Sequence, residues 1–356
     1  MNIPIKNLYY LLSYVWDVNW ELEWSSLSVD GNEDALNMLA KVLVISTDRL
    51  IKRGLDRGYQ EKSEEVFGVR GRIDLASTIK RNGLANSKLT CSFDELDYST
   101  THNQIIKITL ENLLKAKTLD KALREDIHSI LNRMQNIKSQ TLSSTLFSSV
   151  RFHSNIRNYR LPISVCQLLF EQLMPDVNSG EYLFNVLPDE RLFRIFERFL
   201  FNFYKRHLAQ TDFTQIKKEG LGWQDVSFEG GLDDLLPSME TDISLSNESS
   251  RLIIECKFYE SALQSRKVSG EETTGKFISG HVYQLYAYLK NLEIKHQTPT
   301  SGMIIYPENG KKIESLYSLQ GHTVLIKTVN LGMSSTEIEQ DLIDCVKHFK
   351  TPKLAA

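Results

Sequence analysis

The sequence of 356 residues contains no long hydrophobic run. The apolar stretch from Leu8 to Val15 is too short, and too often interrupted by polar residues, to span a bilayer. No basic stretch followed by a small-residue cleavage site is found near the N-terminus, so no signal peptide is expected. The four cysteines are widely spaced and form no C-x-x-C pair, which argues against a zinc site and against a disulfide framework. These absences predict a reduced, cytoplasmic protein without a membrane partner.

The sequence also has no excess of positive charge. Lysine and arginine together number 42 against 45 aspartates and glutamates, for a formal net charge of -3. A protein that binds DNA by itself usually carries a basic face. If this chain acts on nucleic acid, it therefore uses a local basic patch or depends on a partner for its affinity.

Apolar residues make up 41% of the sequence, which at this length is enough for the cores of two domains. Residues 175–182 are rich in turn formers and predict a boundary, so we expect domains at 1–175 and 176–356. In the first domain, residues 65–75 alternate and carry two glycines, as a bent strand pair would. Helical periodicity predicts the helices of this domain at 5–16, 34–54, 102–116, 120–136 and 161–171.

The second domain changes character. A long amphipathic helix at 189–208 is followed by strands and helices that alternate. Strands are predicted at 239–245, 251–259, 302–306 and 322–329, and helices at 280–292 and 334–349. This order predicts a mixed central sheet flanked by helices, so the fold class of the chain is α/β (α+β).

The clearest chemical signal lies on the strand at 251–259. Because side chains alternate along a strand, Glu255 and Lys257 point together to one face, while their apolar neighbours point to the other. Charges in an otherwise buried strand are costly unless they are paired or metal-bound. The preceding strand carries Asp242, thirteen residues before Glu255, so a short hairpin can bring the two carboxylates together.

Two carboxylates at a sheet edge form a hard oxygen site suited to Mg²⁺, with Mn²⁺ as an alternative, and the main-chain carbonyl of Cys256 is a candidate for a further ligand. A metal ion held there polarises a phosphoryl oxygen and lowers the pKa of a bound water. Lys257 is the candidate to position or deprotonate that water, or to stabilise charge on the phosphorane. The alternative interpretation of Asp242, Glu255 and Lys257 is a structural salt-bridge network.

Three residues on the flanking helices are further candidates. Gln284 and Tyr288 are four residues apart and share a helix face, where Gln284 would hold the phosphate or the lysine and Tyr288 would contact the DNA backbone. Glu197, on the long helix, is the candidate to reach the metal ion from the opposite side. The alternatives are an ordinary helix face for the first two and a solvated charge for Glu197.

The spacing of these candidates resembles the PD-(D/E)XK nuclease superfamily, with Asp242, then Glu255-x-Lys257, then Gln284-x-x-x-Tyr288. The "PD" dipeptide itself is absent, because Pro237 lies five residues before Asp242. The whole chain is similar to the McrC family, the nuclease subunits of the McrBC systems that restrict DNA containing modified cytosine. The segments that carry this resemblance run in one order over nearly the full length: IPIKNLYYLLSYVW, GVRGRIDLASTIK, SFDELDYSTTHNQIIKITLENLL, LPSMETDISL, LIIECKFY and GMIIYPENG.

The McrC resemblance implies that Asp242, Glu255 and Lys257 are the catalytic acids and lysine of a PD-(D/E)XK-type nuclease domain at 176–356. It implies that the domain at 1–175 is an adaptor or stalk that enters the pore of a hexameric ring of McrB, an AAA+ GTPase, and stimulates GTP hydrolysis. GTP would then be bound by the partner alone. The partner would read the modified cytosine in double-stranded DNA and translocate it, which explains the missing basic excess. A second copy of the chain, bound through the nuclease domain, is a further candidate partner.

Arg70 and Arg72 lie in the glycine-flanked segment GVRGRI, where we expect an exposed loop and hypothesise a contact with the GTPase ring. Two other functions also fit the sequence. In the first, the chain is a non-catalytic assembly factor and GTPase activator. In the second it is a stand-alone RecB-like exonuclease that acts on DNA ends without a partner.

Overall fold

The structure is a computed structural model, and the residues it describes are 4–16, 35–175, 182–184, 189–224, 236–258, 262–268 and 271–349. The chain divides into two compact units. The terminal unit combines Met1–Glu23 with Leu187–Ala356, and the inner unit is Trp24–Val186. Each helix within the described ranges is too short or too polar to cross a membrane.

The chain begins with helix α1 (Ile5–Val15) of the terminal unit and then enters the inner unit. The inner unit is mainly helical. Its helices are α2 (Ala35–Arg53), α3 (Leu75–Lys80), α4 (Thr101–Leu113), α5 (Lys121–Arg133), α6 (Ser144–Ser149) and α7 (Arg160–Gln172). The core forms where α2 packs against α5 and α7, and where α4 packs against α7. The predicted helices of this half are confirmed within a few residues at each end.

The strands of the inner unit differ from the predicted strand pair at 65–75. They are β1 (Gly58–Val66), β2 (Arg72–Ile73) and β3 (Leu89–Asp97), followed by the short pair β4 (Leu173–Pro175) and β5 (Tyr182–Phe184). β1 and β2 do not pair with each other, because each pairs antiparallel with β3, a strand that we did not predict. The turn before β2 requires glycine at Gly71, since its φ is +68° and a Cβ there would lie 2.4 Å from the Ser92 carbonyl oxygen.

The terminal unit contains the mixed sheet. Its helices are α8 (Asp189–Arg206), α9 (Ser279–His296) and α10 (Ser335–Lys347). Its strands are β6 (Gln215–Lys217), β7 (Gly220–Leu221), β8 (Met239–Glu240), β9 (Ile243–Ser246), β10 (Arg251–Cys256), β11 (Leu263–Val268), β12 (Glu271–Phe277), β13 (Thr300–Pro307), β14 (Glu314–Leu319) and β15 (His322–Val329). The main sheet has the order β14-β15-β13-β10-β9-β6.

The middle of this sheet is parallel and its edges are antiparallel. β10, β13 and β15 run parallel, whereas β9, β6 and β14 each pair antiparallel with their neighbours. Parallel strands are usually covered on both faces. Here α9 covers one face, and its approach is so close that a Cβ on Gly302 would lie 2.8 Å from Cδ2 of Leu285. α8 lies on the other face, where Phe196 contacts Phe258 with 5.9 Å between ring centroids. The predicted mixed sheet with flanking helices is confirmed.

Helix α1 packs within the terminal unit, not within the first half of the chain where we placed it. The rings of Tyr10 and Tyr14 contact Phe199 of α8 at centroid distances of 5.6 and 5.3 Å. The Asn7 side chain donates a hydrogen bond of 2.5 Å to the Leu331 carbonyl. The predicted domains at 1–175 and 176–356 therefore differ from the observed units in two places. Residues 1–23 belong to the terminal unit, and the inner unit ends at Val186. An apolar stripe shows that a helix is covered, but it does not identify the element that covers it.

Candidate active site

The candidate site is built on β10, a strand buried on both faces. Ile253 and Glu255 point toward α9, and Cys256 points to the opposite face. The exposed fraction of Glu255 is only 2%, so its carboxylate lies inside the protein core. The sequence prediction that Glu255 and Lys257 share a face is consistent with the hydrogen bond of 2.7 Å that the Lys257 ammonium donates to Glu255 Oε1.

Asp242 lies beside Glu255 because of the pairing between β9 and β10. Ile243 is paired with Ile254, and one further step along both strands brings Asp242 opposite Glu255. The amide of Cys256 donates a hydrogen bond of 2.8 Å to Asp242 Oδ2. The two carboxylates that the sequence pattern singled out are therefore neighbours on adjacent strands.

Asp242 sits in a bulge. We predicted one strand at 239–245, but the structure breaks it at Thr241 and Asp242. Lys217 pairs with Ser244, and Gly220 pairs with Glu240, so two residues on one strand oppose three on the other. The Thr241 amide donates to the Glu219 carbonyl at 3.0 Å, and the Glu219 amide donates to Thr241 Oγ1 at 3.0 Å. Bulges commonly redirect side chains next to active sites, and this one turns Asp242 toward the Cys256 amide.

A chain of hydrogen bonds fixes the lysine. Besides its bond to Glu255, the Lys257 ammonium donates to Gln284 Oε1 at 2.9 Å. The Gln284 amide in turn donates to the Tyr288 hydroxyl at 2.8 Å. The structure thus brings together Asp242 and the four-residue chain from Glu255 to Tyr288, all of which were sequence candidates. Tyr288 is 6% exposed and its hydroxyl accepts from Gln284, so its contact with the DNA backbone stays a prediction.

The two carboxylates are short of compensating positive charge. Burial raises the pKa of Glu255 to about 7, and the negative charge of Asp242 adds to this effect. Burial likewise raises the pKa of Asp242 to about 6, although the hydrogen bond from the Cys256 amide opposes the rise. Glu255 Oε2 is buried, and no hydrogen-bond donor reaches it from the residues that the structure describes. A buried carboxylate oxygen without a donor is costly, so this position favours occupation by a cation.

A divalent ion fits this donor set if part of its coordination comes from the main chain and solvent. In the described residues, no three side chains of His, Cys, Asp or Glu are grouped closely enough to hold a metal ion alone. Mg²⁺ is commonly held by one or two carboxylates and keeps several waters. Asp242 and Glu255 supply the two carboxylates, and the carbonyl of Cys256, the residue after Glu255, is the predicted main-chain ligand.

Glu197 of α8 is near the pair but is engaged elsewhere. Its negative charge contributes to the raised pKa of both Asp242 and Glu255. Its carboxylate accepts a short hydrogen bond from the ammonium of Lys218. Sequence reasoning did not identify Lys218, because residues 215–221 carried no predicted element, and the tandem lysines at 217 and 218 were the available signal.

A second buried carboxylate, also missed from the sequence, stabilises the bulge. The Glu219 side chain is 5% exposed and accepts from Arg251 at 2.6 Å and from Ser244 Oγ at 3.1 Å. Lys217 and His296 lie 3.3 and 3.1 Å from the same carboxylate. Burial alone would raise the pKa of Glu219, but Arg251 and Lys217 lower it overall. This network therefore fixes the main chain that brackets Thr241, the residue before Asp242.

The two arginines predicted to contact a partner lie in the inner unit and are exposed as expected, but Arg72 lies on β2 and not in a loop. The Arg70 guanidinium lies over the Phe93 ring, 3.8 Å from its centroid, with a side chain 56% exposed. The Arg72 side chain is 82% exposed and lies 3.6 Å from Glu61. Their contact with a GTPase ring stays a prediction.

Comparison with known proteins agrees with this description. A curated relative, the type IV methyl-directed restriction enzyme EcoKMcrBC of Escherichia coli (strain K12), is 32% identical over 349 residues, which cover 98% of each chain. A chain in the solved assembly of Thermococcus gammatolerans McrB AAA+ hexamers with bound McrC has a TM-score of 0.60 at 15% identity, covering 98% of this chain and 76% of that one, and shows the same fold. The profile of a protein family matches residues 5–307. The chain belongs to that family, described as McrBC 5-methylcytosine restriction system component.

Proposed function

We propose that this chain is the divalent-metal-dependent endonuclease subunit of a McrBC-like restriction complex. The observation that carries the proposal is a pair of adjacent carboxylates beside a lysine held by Gln284. Glu255 is buried and Asp242 is half-buried, both have raised pKa values, and Glu255 Oε2 has no hydrogen-bond partner among the described residues. A structural salt bridge would not need a second carboxylate next to the first, since a like charge there is destabilising. Metal-dependent phosphodiester hydrolysis uses such a pair, because adjacent carboxylates hold the divalent ion.

Asp242 and Glu255 would hold Mg²⁺ or Mn²⁺, together with the Cys256 carbonyl. When bound, the divalent ion supplies Lewis-acid polarisation of the phosphoryl oxygen and activation of the attacking water. Two of the three N–H groups of the Lys257 ammonium donate hydrogen bonds to Glu255 and Gln284. In this proposal the third N–H donates a hydrogen bond to the phosphorane oxygen on which negative charge develops. Gln284 and Tyr288 hold the lysine in place, so little reorganisation is needed during the reaction.

The substrate and partner proposals come from the relatives. The Escherichia coli relative is described as methyl-directed, and the archaeal assembly contains AAA+ hexamers. We propose that this chain cuts double-stranded DNA containing modified cytosine when a McrB-like AAA+ GTPase ring delivers it. The formal net charge of -3 supports reliance on a partner for DNA affinity. In this proposal GTP binds to the partner, and the inner unit contacts the ring through a surface that includes Arg70 and Arg72.

The test is cleavage of methylated plasmid DNA in Mg²⁺ by the purified chain, with and without a McrB-like partner and GTP. We expect cleavage that requires the partner and GTP and that is lost in Asp242→Asn. The matched control is Asp212→Asn, which makes the same change at an exposed position of the terminal unit. Cleavage that survives Asp242→Asn would show that the active site lies elsewhere. Digestion of linear DNA by the chain alone would favour the partner-independent exonuclease.

Stimulation of the partner's GTPase provides a separate readout. Asp242→Asn should leave the stimulation intact, because Asp242 lies in the terminal unit. Arg72→Ala, and to a lesser extent Arg70→Ala, should reduce it, since Arg72 has the more exposed side chain. If both variants stimulate GTP hydrolysis as the wild type does, the assignment of these arginines to the ring contact is wrong.

A further inference from the structure

Lys218 lies next to the candidate metal site but takes no part in the mechanism proposed above. Its ammonium is bonded to Glu197, on the side of the bulge opposite the Glu219 network. The neighbouring Lys217 is paired with Glu219 instead. Two consecutive lysines therefore project to opposite faces, and only Lys218 faces the acidic site.

The charges around Lys218 connect it to the site. Burial lowers the pKa of Lys218, but the hydrogen bond to Glu197 and the negative charges of Glu197, Asp242 and Glu240 raise it overall. The Lys218 side chain remains 41% exposed, whereas that of Glu197 is 13% exposed. The lysine can therefore leave for solvent at low cost, while the carboxylate stays beside Asp242 and Glu255.

The Glu197 carboxylate is paired with Lys218 and not with a metal-binding group. Lys218 lies between the pairs Lys217–Ser244 and Gly220–Glu240, so it is across the bulge from Asp242, and its partner Glu197 lies at the same place. The negative charge of Glu197 also contributes to the raised pKa of Asp242 and of Glu255. Nevertheless, the described structure has no group of three acidic, histidine or cysteine side chains in a metal-binding arrangement. The Glu197 carboxylate is directed to Lys218, and a carboxylate bound to an ammonium has less charge to offer a metal ion.

We infer that Lys218 is a positioning residue that competes with a divalent cation for the Glu197 carboxylate. The inference rests on the metal site proposed at Asp242 and Glu255. While Lys218 holds Glu197, the site presents two carboxylates and one extra positive charge. When Lys218 releases Glu197, the site presents three carboxylates, and its affinity for a divalent ion rises. Lys218 thus sets how strongly the free chain binds metal.

The test measures Mn²⁺ binding to the full chain alone, from the loss of the electron paramagnetic resonance signal of free Mn²⁺. Lys218→Met removes the ammonium and keeps the length of the side chain, and it should tighten Mn²⁺ binding about tenfold. The matched control is Lys217→Met, which should change the affinity by no more than about twofold, because the Lys217 side chain lies on the other face and its charge is screened. Lys218→Arg should behave as the wild type, because it retains the charge.

Glu197→Gln separates the contact from the general effect of charge. In that background, Lys218→Met should tighten Mn²⁺ binding by about twofold only, because no carboxylate is released. An unchanged or weaker affinity in Lys218→Met would overturn the inference, as would a tenfold effect that persists with Gln at 197. Asp242→Asn tests the underlying metal site: if Mn²⁺ binds the wild type and Asp242→Asn equally well, the proposed function fails, irrespective of Lys218.

Discussion

Replacing Glu255 by glutamine should stabilise the protein above neutral pH when no divalent ion is present. Burial and the charge of Asp242 raise the pKa of Glu255 from 4.5 to about 7. A raised pKa in a folded acid means that the folded state binds the proton more tightly than the unfolded state does. The folded protein therefore loses stability as the pH rises from the unfolded pKa of 4.5 through the folded pKa of about 7. Glutamine is uncharged and has no such loss.

The size of the effect follows from the shift. Each pKa unit corresponds to about 1.4 kcal/mol, so the ionised Glu255 costs about 3 kcal/mol at pH 8. For a unit of this size, 1 kcal/mol moves the melting temperature by about 2–4 °C, so the variant should melt roughly 6–12 °C higher. Near pH 4 the two proteins should melt at similar temperatures, because Glu255 is then protonated in both states.

The assay is thermal unfolding of the full chain in EDTA at pH values from 4 to 8, followed by circular dichroism. Glu293→Gln is the matched control, because Glu293 is half exposed on α9 and its pKa is lowered by Lys290. This control should show no gain in stability as the pH rises. Saturating Mg²⁺ should narrow the difference, since an ion at a hundred times its Kd stabilises the wild type by about 2.7 kcal/mol. A Glu255→Gln variant no more stable than the wild type at pH 8 in EDTA would refute the reasoning.

Three further predictions concern the lysine, its support and the sheet. Lys257→Met should slow single-turnover DNA cleavage by the assembled complex by about 10²–10⁴-fold, while Mn²⁺ still binds the chain. Gln284→Ala should slow the same step by about tenfold, since one net hydrogen bond to the lysine is lost, with binding of Mn²⁺ again retained. Gly302→Ala should lower the free energy of unfolding in urea by about 1–3 kcal/mol, because the new methyl group would meet Leu285, whereas Gly280→Ala has open space and should not.

The candidate site could be predicted from the sequence as far as local geometry determines it. Strand alternation is a short-range property, so it placed Glu255 and Lys257 on one face without knowledge of the rest of the fold. The spacing to Asp242 required only a hairpin, and the helical period joined Gln284 to Tyr288. Side-chain hydrogen bonds join Glu255, Lys257, Gln284 and Tyr288, and Asp242 accepts from the main-chain amide between Glu255 and Lys257.

The features that sequence reasoning missed depend on contacts between distant segments. The bulge at Asp242 arises from the register of β6 and β7 against β8 and β9, and nothing in the segment METDIS indicates an extra residue. Lys218 was overlooked because it follows β6, a strand of only three residues without apolar alternation. The hairpin of β11 and β12 consists mostly of polar residues, so its pattern resembles a solvated loop. β3 was missed because the acidic residues of its second half, FDELD, break the apolar alternation next to a helix signal.

The packing of α1 against α8 has a consequence for the time course of folding during synthesis. About 170 residues separate the end of α1 from the start of α8. Because a ribosome adds about 5–20 residues per second, α8 is synthesised roughly 10–35 s after α1. The inner unit emerges completely within that interval, whereas the terminal unit needs strands from the last third of the chain. In ribosome-stalled chains that end near residue 220, the inner unit should therefore resist a protease, whereas the protease should still cleave within α1.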